Sequence, residues 1–166
     1  PYQRPPLSKG YLLGEMALER LYLRPESYYA DNDIDLKLGT AVESIHRDAK
    51  TVITGDEAIP YDALVLATGS VPRRLPSNIG GDLGGVHVVR TLSDVDAMAP
   101  DIDHGSRALV IGGGYIGLEA AAVCRKKGLD VTLIEAADRI LSRVACPETS
   151  RWFADLHRRH GVAVQQ

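Results

Sequence analysis

Cysteine is scarce in this chain of 166 residues: there are two, Cys124 and Cys146, far apart in sequence and with no C-x-x-C pair. That spacing excludes a vicinal redox dithiol and a cysteine-rich metal site, and both read as ordinary thiols. Histidine is equally thin. The five, His46, His87, His104, His157 and His160, are scattered; His157 and His160 share a helix face without a third ligand beside them, which reads as a solvated helix surface. No strong charge of one sign is present, since the formal net charge is -3 and the basic residues gather only in short runs such as Arg125, Lys126 and Lys127. Nucleic acid is therefore not the expected partner. No apolar run approaches the roughly 20 residues of a spanning helix, and the first residues lack a signal-peptide pattern. A cytoplasmic protein with no membrane partner is the expectation. No internal repeat at solenoid spacing occurs.

What is present is material for a folded α/β protein, with 45% hydrophobic and 25% charged residues. Residues 1–11, PYQRPPLSKGY, read as a rigid irregular segment, and 24–32 as a short helix with its proline near the first turn. Residues 34–39 alternate like a strand. Residues 41–48 and 50–62 read as antiparallel strands leading into ALVLATGS, 63–70, a short buried strand ending in Thr68, Gly69 and Ser70. The proline- and glycine-rich stretch 71–85 marks a domain boundary. Residues 93–100 suggest a short helix capped by Ser93, with Asp96 at the capping-box position and Pro100 as its stop. Thereafter strand, helix, strand, helix, strand follow in order, the signature of a parallel sheet.

Gly112, Gly114 and Gly117 form G-x-G-x-x-G between an apolar strand and a helix. The first glycine permits the tight turn, the second lets backbone approach a pyrophosphate, and the third lets helix pack on sheet. Phosphates would sit over the positive end of the helix beginning near Tyr115 and Ile116. Glu135, about 20 residues downstream at the end of the next strand, is placed to accept both ribose hydroxyls, which favours NAD(H) over NADP(H). Arg139 reads equally as an adenosine contact or as a solvated arginine, and the glycine turn could belong to a module that binds nothing.

Taken together, PYQRPPLSKGYL, YDALVLATGSVPRRLP and ALVIGGGYIGLEAAAVCRKKGLDVTLIEAADRIL resemble the FAD-dependent pyridine nucleotide-disulfide oxidoreductase family. Within it the resemblance is to the subgroup of ferredoxin, rubredoxin and putidaredoxin reductases. It implies an α/β, glutathione-reductase-like flavoprotein with two Rossmann-like dinucleotide domains in three βα layers. The chain would be the middle of such an enzyme, truncated at both ends, with 1–78 part of the FAD-binding domain and 79–166 the first part of the inserted NAD-binding domain. Carried over by position, Arg4, Pro5, Ser8 and Lys9 match the segment passing the isoalloxazine ring, with Lys9 the flavin neighbour. Thr68 and Gly69 match a crossing beside FAD. Arg73 and Arg74 follow as dinucleotide contacts or as solvated loop charges. Glu119 matches a carboxylate facing the nicotinamide and flavin, so Lys9 and Glu119 are the expected catalytic pair. The implied function is NADH-dependent reduction, through FAD, of a [2Fe-2S] ferredoxin or rubredoxin-type carrier serving an oxygenase. The alternatives are an NADH oxidase, a nitrite-reductase subunit or an apoptosis-inducing-factor-like enzyme of the same fold, or a non-catalytic nucleotide-binding module. Disulfide-reducing and single-cysteine relatives are disfavoured because residues 1–30 contain no cysteine.

Overall fold

The computed structural model describes all residues, Pro1–Gln166. The chain divides into two compact units, one formed by Pro1–Leu23 with Val71–Gln166 and the other by Arg24–Ser70. No helix is long and apolar enough to cross a membrane.

The first unit is built on three parallel strands, β4 (Arg107–Ile111), β5 (Asp130–Ile134) and β6 (Val162–Gln165), in the order β4-β5-β6. Helix α3 (Tyr115–Lys126) connects β4 to β5, and α4 (Pro147–Arg159) connects β5 to β6. This is the strand and helix order expected from the sequence. β5 is central because it has a partner on both sides, and its Val131 and Leu133 are wholly buried. Leu118, Ala121, Val123 and Cys124 of α3 belong to the same core. Pro147 opens α4, where the missing N–H costs nothing.

Helix α2 (Leu92–His104) departs from expectation at both ends. Its cap is Thr91 rather than Ser93, and the reciprocal partner is Asp94, whose Oδ2 accepts the Thr91 amide while the Thr91 hydroxyl accepts the Asp94 amide. Asp96 instead accepts the Tyr11 hydroxyl at 2.7 Å. Pro100 lies inside the helix and does not stop it. The proline forfeits one backbone bond, but burial of Val95, Met98 and Ile102 on one face offsets the loss.

The N-terminal segment is irregular except for two short helical turns, Leu7–Tyr11, itself broken at Lys9, and Leu18–Arg20. Leu7, Leu12 and Leu21, at most 2% exposed, join the core of α2, α3 and β5. Each buried leucine contributes about 1.5–3 kcal/mol. The exposed Lys126–Glu15 ion pair contributes at most about 1 kcal/mol, so apolar burial, not charge, fixes the segment. The Tyr2 hydroxyl accepts the Leu92 amide at the start of α2 at 3.0 Å.

The second unit contains α1 (Glu26–Asp31) and an antiparallel meander of β1 (Ser44–His46), β2 (Thr51–Thr54) and β3 (Glu57–Pro60). The helix and the meander match the sequence reading. Two expected strands are absent: residues 34–39 and 63–70 form none. The run 63–70 is not buried either, with Val65 84% and Leu66 68% exposed, because no strand of the chain pairs with it.

Candidate functional site

α3 carries candidate residues at both of its first turns. Gly112 follows β4, its N–H extending the ladder to the Ile134 carbonyl at 2.8 Å, and its φ of 106° lies where a side chain would be strained. Gly114 then caps α3, and no side chain satisfies the helix's first amides. Those amides and the helix dipole make this an anion seat. A Cβ on Gly112 or Gly114 would meet nothing, so the space above the turn is open. At Gly117 a Cβ would collide with the Gly112 carbonyl oxygen, so this glycine serves the packing of helix against turn. Tyr115 and Ile116 are exposed at the mouth.

Glu135 stands just past β5, beside this turn. Its Oε2 accepts the Gly113 amide at 2.7 Å and its Oε1 accepts the Ala137 amide at 2.9 Å. The Ala137 bond holds its carboxyl below the usual glutamate range; partial burial opposes this, and the amides of Gly113 and Ala136 with the Arg143 charge reinforce it. Arg139 is partly buried and bonded within the chain. Its guanidinium donates to the Ala145 and Ser142 carbonyls and to Ser150 Oγ, tying the loop after β5 to α4.

A second cluster forms one turn along α3. Glu119 Oε2 accepts the Ser8 hydroxyl at 2.5 Å and pairs with Lys9 Nζ at 2.8 Å, while Lys9 also donates to the Pro5 carbonyl at 3.1 Å. Ser8 is buried and the Lys9 side chain is half exposed, so the ammonium is both anchored and accessible. Lys9, Ser8 and Glu119, read from the sequence as separate cofactor neighbours, are thus one bonded group. The Ser8–Glu119 bond itself had no signature in sequence. Arg4 and Pro5 lie exposed in the same segment. Thr68 and Gly69 belong to the other unit, both exposed, with Gly69 at φ 71°.

Neither thiol joins these groups. Cys124 is buried in α3, which pushes its thiol up, and Cys146 is exposed at the start of α4, where the Thr149 hydroxyl holds its thiol down. His157 is half-buried rather than solvated, its ring bridging the Phe153 and Leu118 carbonyls. A cleft between the C-terminal ends of α3 and α4 lies away from the glycine turn and is lined by none of the candidate residues.

The whole chain, residues 1–166, matches the model of the pyridine nucleotide-disulphide oxidoreductase family. It is 49% identical to a ferredoxin–NAD(P)(+) reductase of Sphingomonas sp. over 99% of the chain and 40% of that protein. It is 45% identical to putidaredoxin reductase of Pseudomonas putida over 99% of the chain and again 40% of the relative. Among solved structures, the putidaredoxin reductase of a covalent complex with putidaredoxin superposes with a TM-score of 0.90 at 44% identity, covering 99% of this chain and 40% of that one. The chain therefore spans about two fifths of the length of these relatives. Its fold is their α/β, Rossmann-like fold, and the chain belongs to the pyridine nucleotide-disulphide oxidoreductase family.

Proposed function

We propose that this chain is the nicotinamide-handling and part of the flavin-handling portion of an NADH-dependent, FAD-containing reductase. Its electrons would pass to a [2Fe-2S] ferredoxin or rubredoxin-type carrier that feeds an oxygenase, in the cytoplasm. The observation that carries the reading is the uncapped start of α3 under Gly112 and Gly114, with the Glu135 carboxylate beside it. The names of the similar reductases support the choice of acceptor.

In this reading residues 1–78 serve FAD and 79–166 serve NAD(H). That assignment concerns which cofactor a residue serves, not which residues pack together. The amides of Tyr115 and Ile116 take the pyrophosphate, Gly117 keeps α3 close to the turn, and Glu135 accepts the ribose hydroxyls. A 2′-phosphate would meet this carboxylate, which disfavours NADP(H). Arg4, Pro5, Ser8 and Lys9 would serve the flavin ring, and Thr68 and Gly69 are read separately as FAD contacts. FAD, when bound, supplies a carrier that accepts two electrons from NADH and releases them singly. The Lys9 ammonium, held in place by Glu119 and the Pro5 carbonyl, stabilises negative charge that develops beside it. Glu119, fixed by Ser8, orients that ammonium and serves the nicotinamide side. Electrons do not require a cysteine pair, in keeping with the two free thiols.

The test is the visible spectrum of the protein supplied with FAD, before and after anaerobic NADH, with NADPH as control. The expected result is a yellow band bleached by NADH and hardly by NADPH, with turnover accelerated when a ferredoxin is added. A protein that stays colourless with FAD defeats the reading. A protein bleached by NADH but indifferent to any small iron–sulfur carrier keeps the cofactors and loses the acceptor.

A further inference from the structure

Gly113, the middle residue of the glycine turn, has no role in a motif defined by Gly112, Gly114 and Gly117, yet it is the buried one among its neighbours in the turn. A buried peptide needs partners for both of its polar groups. Gly113 N–H donates to Glu135 Oε2 at 2.7 Å, and Gly113 C=O accepts Leu141 N–H at 2.9 Å. Both partners lie in the loop that follows β5. The loop is braced in turn, since Glu135 Oε1 accepts the Ala137 amide and the buried Leu141 adopts a φ of 53°, uncommon for a residue with a large side chain. There is also no room for a side chain at 113, where a Cβ would collide with Ile140 and come within 3.3 Å of Glu135 Oε2.

We propose that Glu135 is a positioning residue for the phosphate turn as well as a ribose acceptor: together with the Leu141 amide, its carboxylate clamps the Gly113 peptide and so sets the turn on which α3's first amides are presented. The inference rests on the reading of this turn as a dinucleotide seat. A carboxylate offers about four lone-pair sites. The Gly113 and Ala137 amides use one on each oxygen, which leaves capacity on both for ribose hydroxyls. Ribose recognition and phosphate binding are therefore coupled through one side chain. Replacing Glu135 to admit NADP(H) would loosen the pyrophosphate seat at the same time, so dinucleotide preference cannot be exchanged at this position alone without loss of affinity.

A ligand that lacks the ribose hydroxyls separates the two roles. Binding of ADP and of 2′,3′-dideoxy-ADP is measured by calorimetry on the full chain with Glu135, with E135A and with E135Q, alongside amide hydrogen exchange at Gly113 without ligand. Loss of a charge-assisted bond to a buried amide is expected to weaken dideoxy-ADP about tenfold or more in E135A. Gly113 exchange should accelerate in the same variant. E135Q keeps the shape and one acceptor, so it should fall between the two and carry the test if E135A does not fold. An E135A chain that loses ADP affinity but holds dideoxy-ADP as tightly as before, with Gly113 still protected, would overturn the proposal and leave Glu135 a ribose acceptor only. An unsubstituted chain that binds neither ligand would refute the dinucleotide reading and the inference with it, an outcome told from the first by that chain's own isotherm.

Discussion

Two stretches of this chain have the same plan, an apolar run entering a glycine-bearing turn: 107–117, RALVIGGGYIG, and 63–70, ALVLATGS. The first became β4, a tight turn and α3, with β5 as strand partner and Val131 and Leu133 packed beneath. The second has the composition of a buried strand and lies open, Val65 being 84% exposed. The difference is not in propensity, since both runs are rich in valine and leucine. It lies in partners. A parallel strand is stable when a neighbour satisfies its backbone, and β4 finds β5 along its whole length while 63–70 finds no strand partner within its unit. Local pattern reports what a segment can become, and pairing decides whether it does.

The sharpest way to break that comparison is Gly117→Val. In the first junction the added Cβ meets the Gly112 carbonyl oxygen, with Val110 Cγ1 at 3.4 Å behind it. Neither can retreat without moving β4 or α3, so the expected cost is about 3 kcal/mol, the upper end for overpacking. Chemical denaturation of the chain and its Gly117→Val variant checks this. A midpoint that does not move would mean that the glycine turn is no more tightly packed than residues 63–70.

A paired truncation sharpens it further. Val131→Ala removes a wholly buried side chain from the central strand and should cost about 2–3 kcal/mol, as lost burial plus a cavity. Val65→Ala removes the same atoms from an exposed site and should stay within about 0.5 kcal/mol. Equal shifts in the two melting curves would contradict the contrast between the packed sheet that holds the first run and the open second run.

The same contrast explains what could be read in advance. The order β4, α3, β5, α4, β6, the three motif glycines and the place of Glu135 were legible because each depends on contacts close in sequence or on a fixed crossover length. The course of Pro1–Leu23 was not, because it is set by Leu7, Leu12 and Leu21 entering a core made by residues some hundred positions away. That docking is what brings Ser8 and Lys9 to Glu119. Two other misreadings have local causes. Two serine- or threonine-led capping boxes overlap at the start of α2, and the one that forms frees Asp96 for Tyr11. Pro100 reads as a stop, but buried residues on either side carry the helix through it. The clamp on Gly113 had only one visible sign, a third glycine in a row where the motif asks for none.

The smallest expected effect concerns pH, and it too divides the junctions. Glu135 sits in the first with its carboxyl held below the usual glutamate value, foremost by the Ala137 amide and also by the Gly113 amide. A carboxyl whose folded value is depressed stabilises the fold fully above the unfolded value of about 4.3, and that contribution is lost as pH falls through the folded value. Stability should therefore decline on acidification below about pH 5, with stability rising with pH across that window because the unfolded chain binds the extra proton. Other carboxylates add to the global slope, so the informative probe is local. The protection factor of the Gly113 amide, corrected for intrinsic exchange, should fall over this acid range and fall less in E135Q, whose acceptor does not titrate. The Gly69 amide, in an exposed run with no strand partner, should show little protection at any pH. A Gly113 amide whose protection is the same at pH 3 and pH 6 would mean that the turn keeps its shape without the charge on Glu135. The packed junction would then owe its order to Gly117 and the core alone.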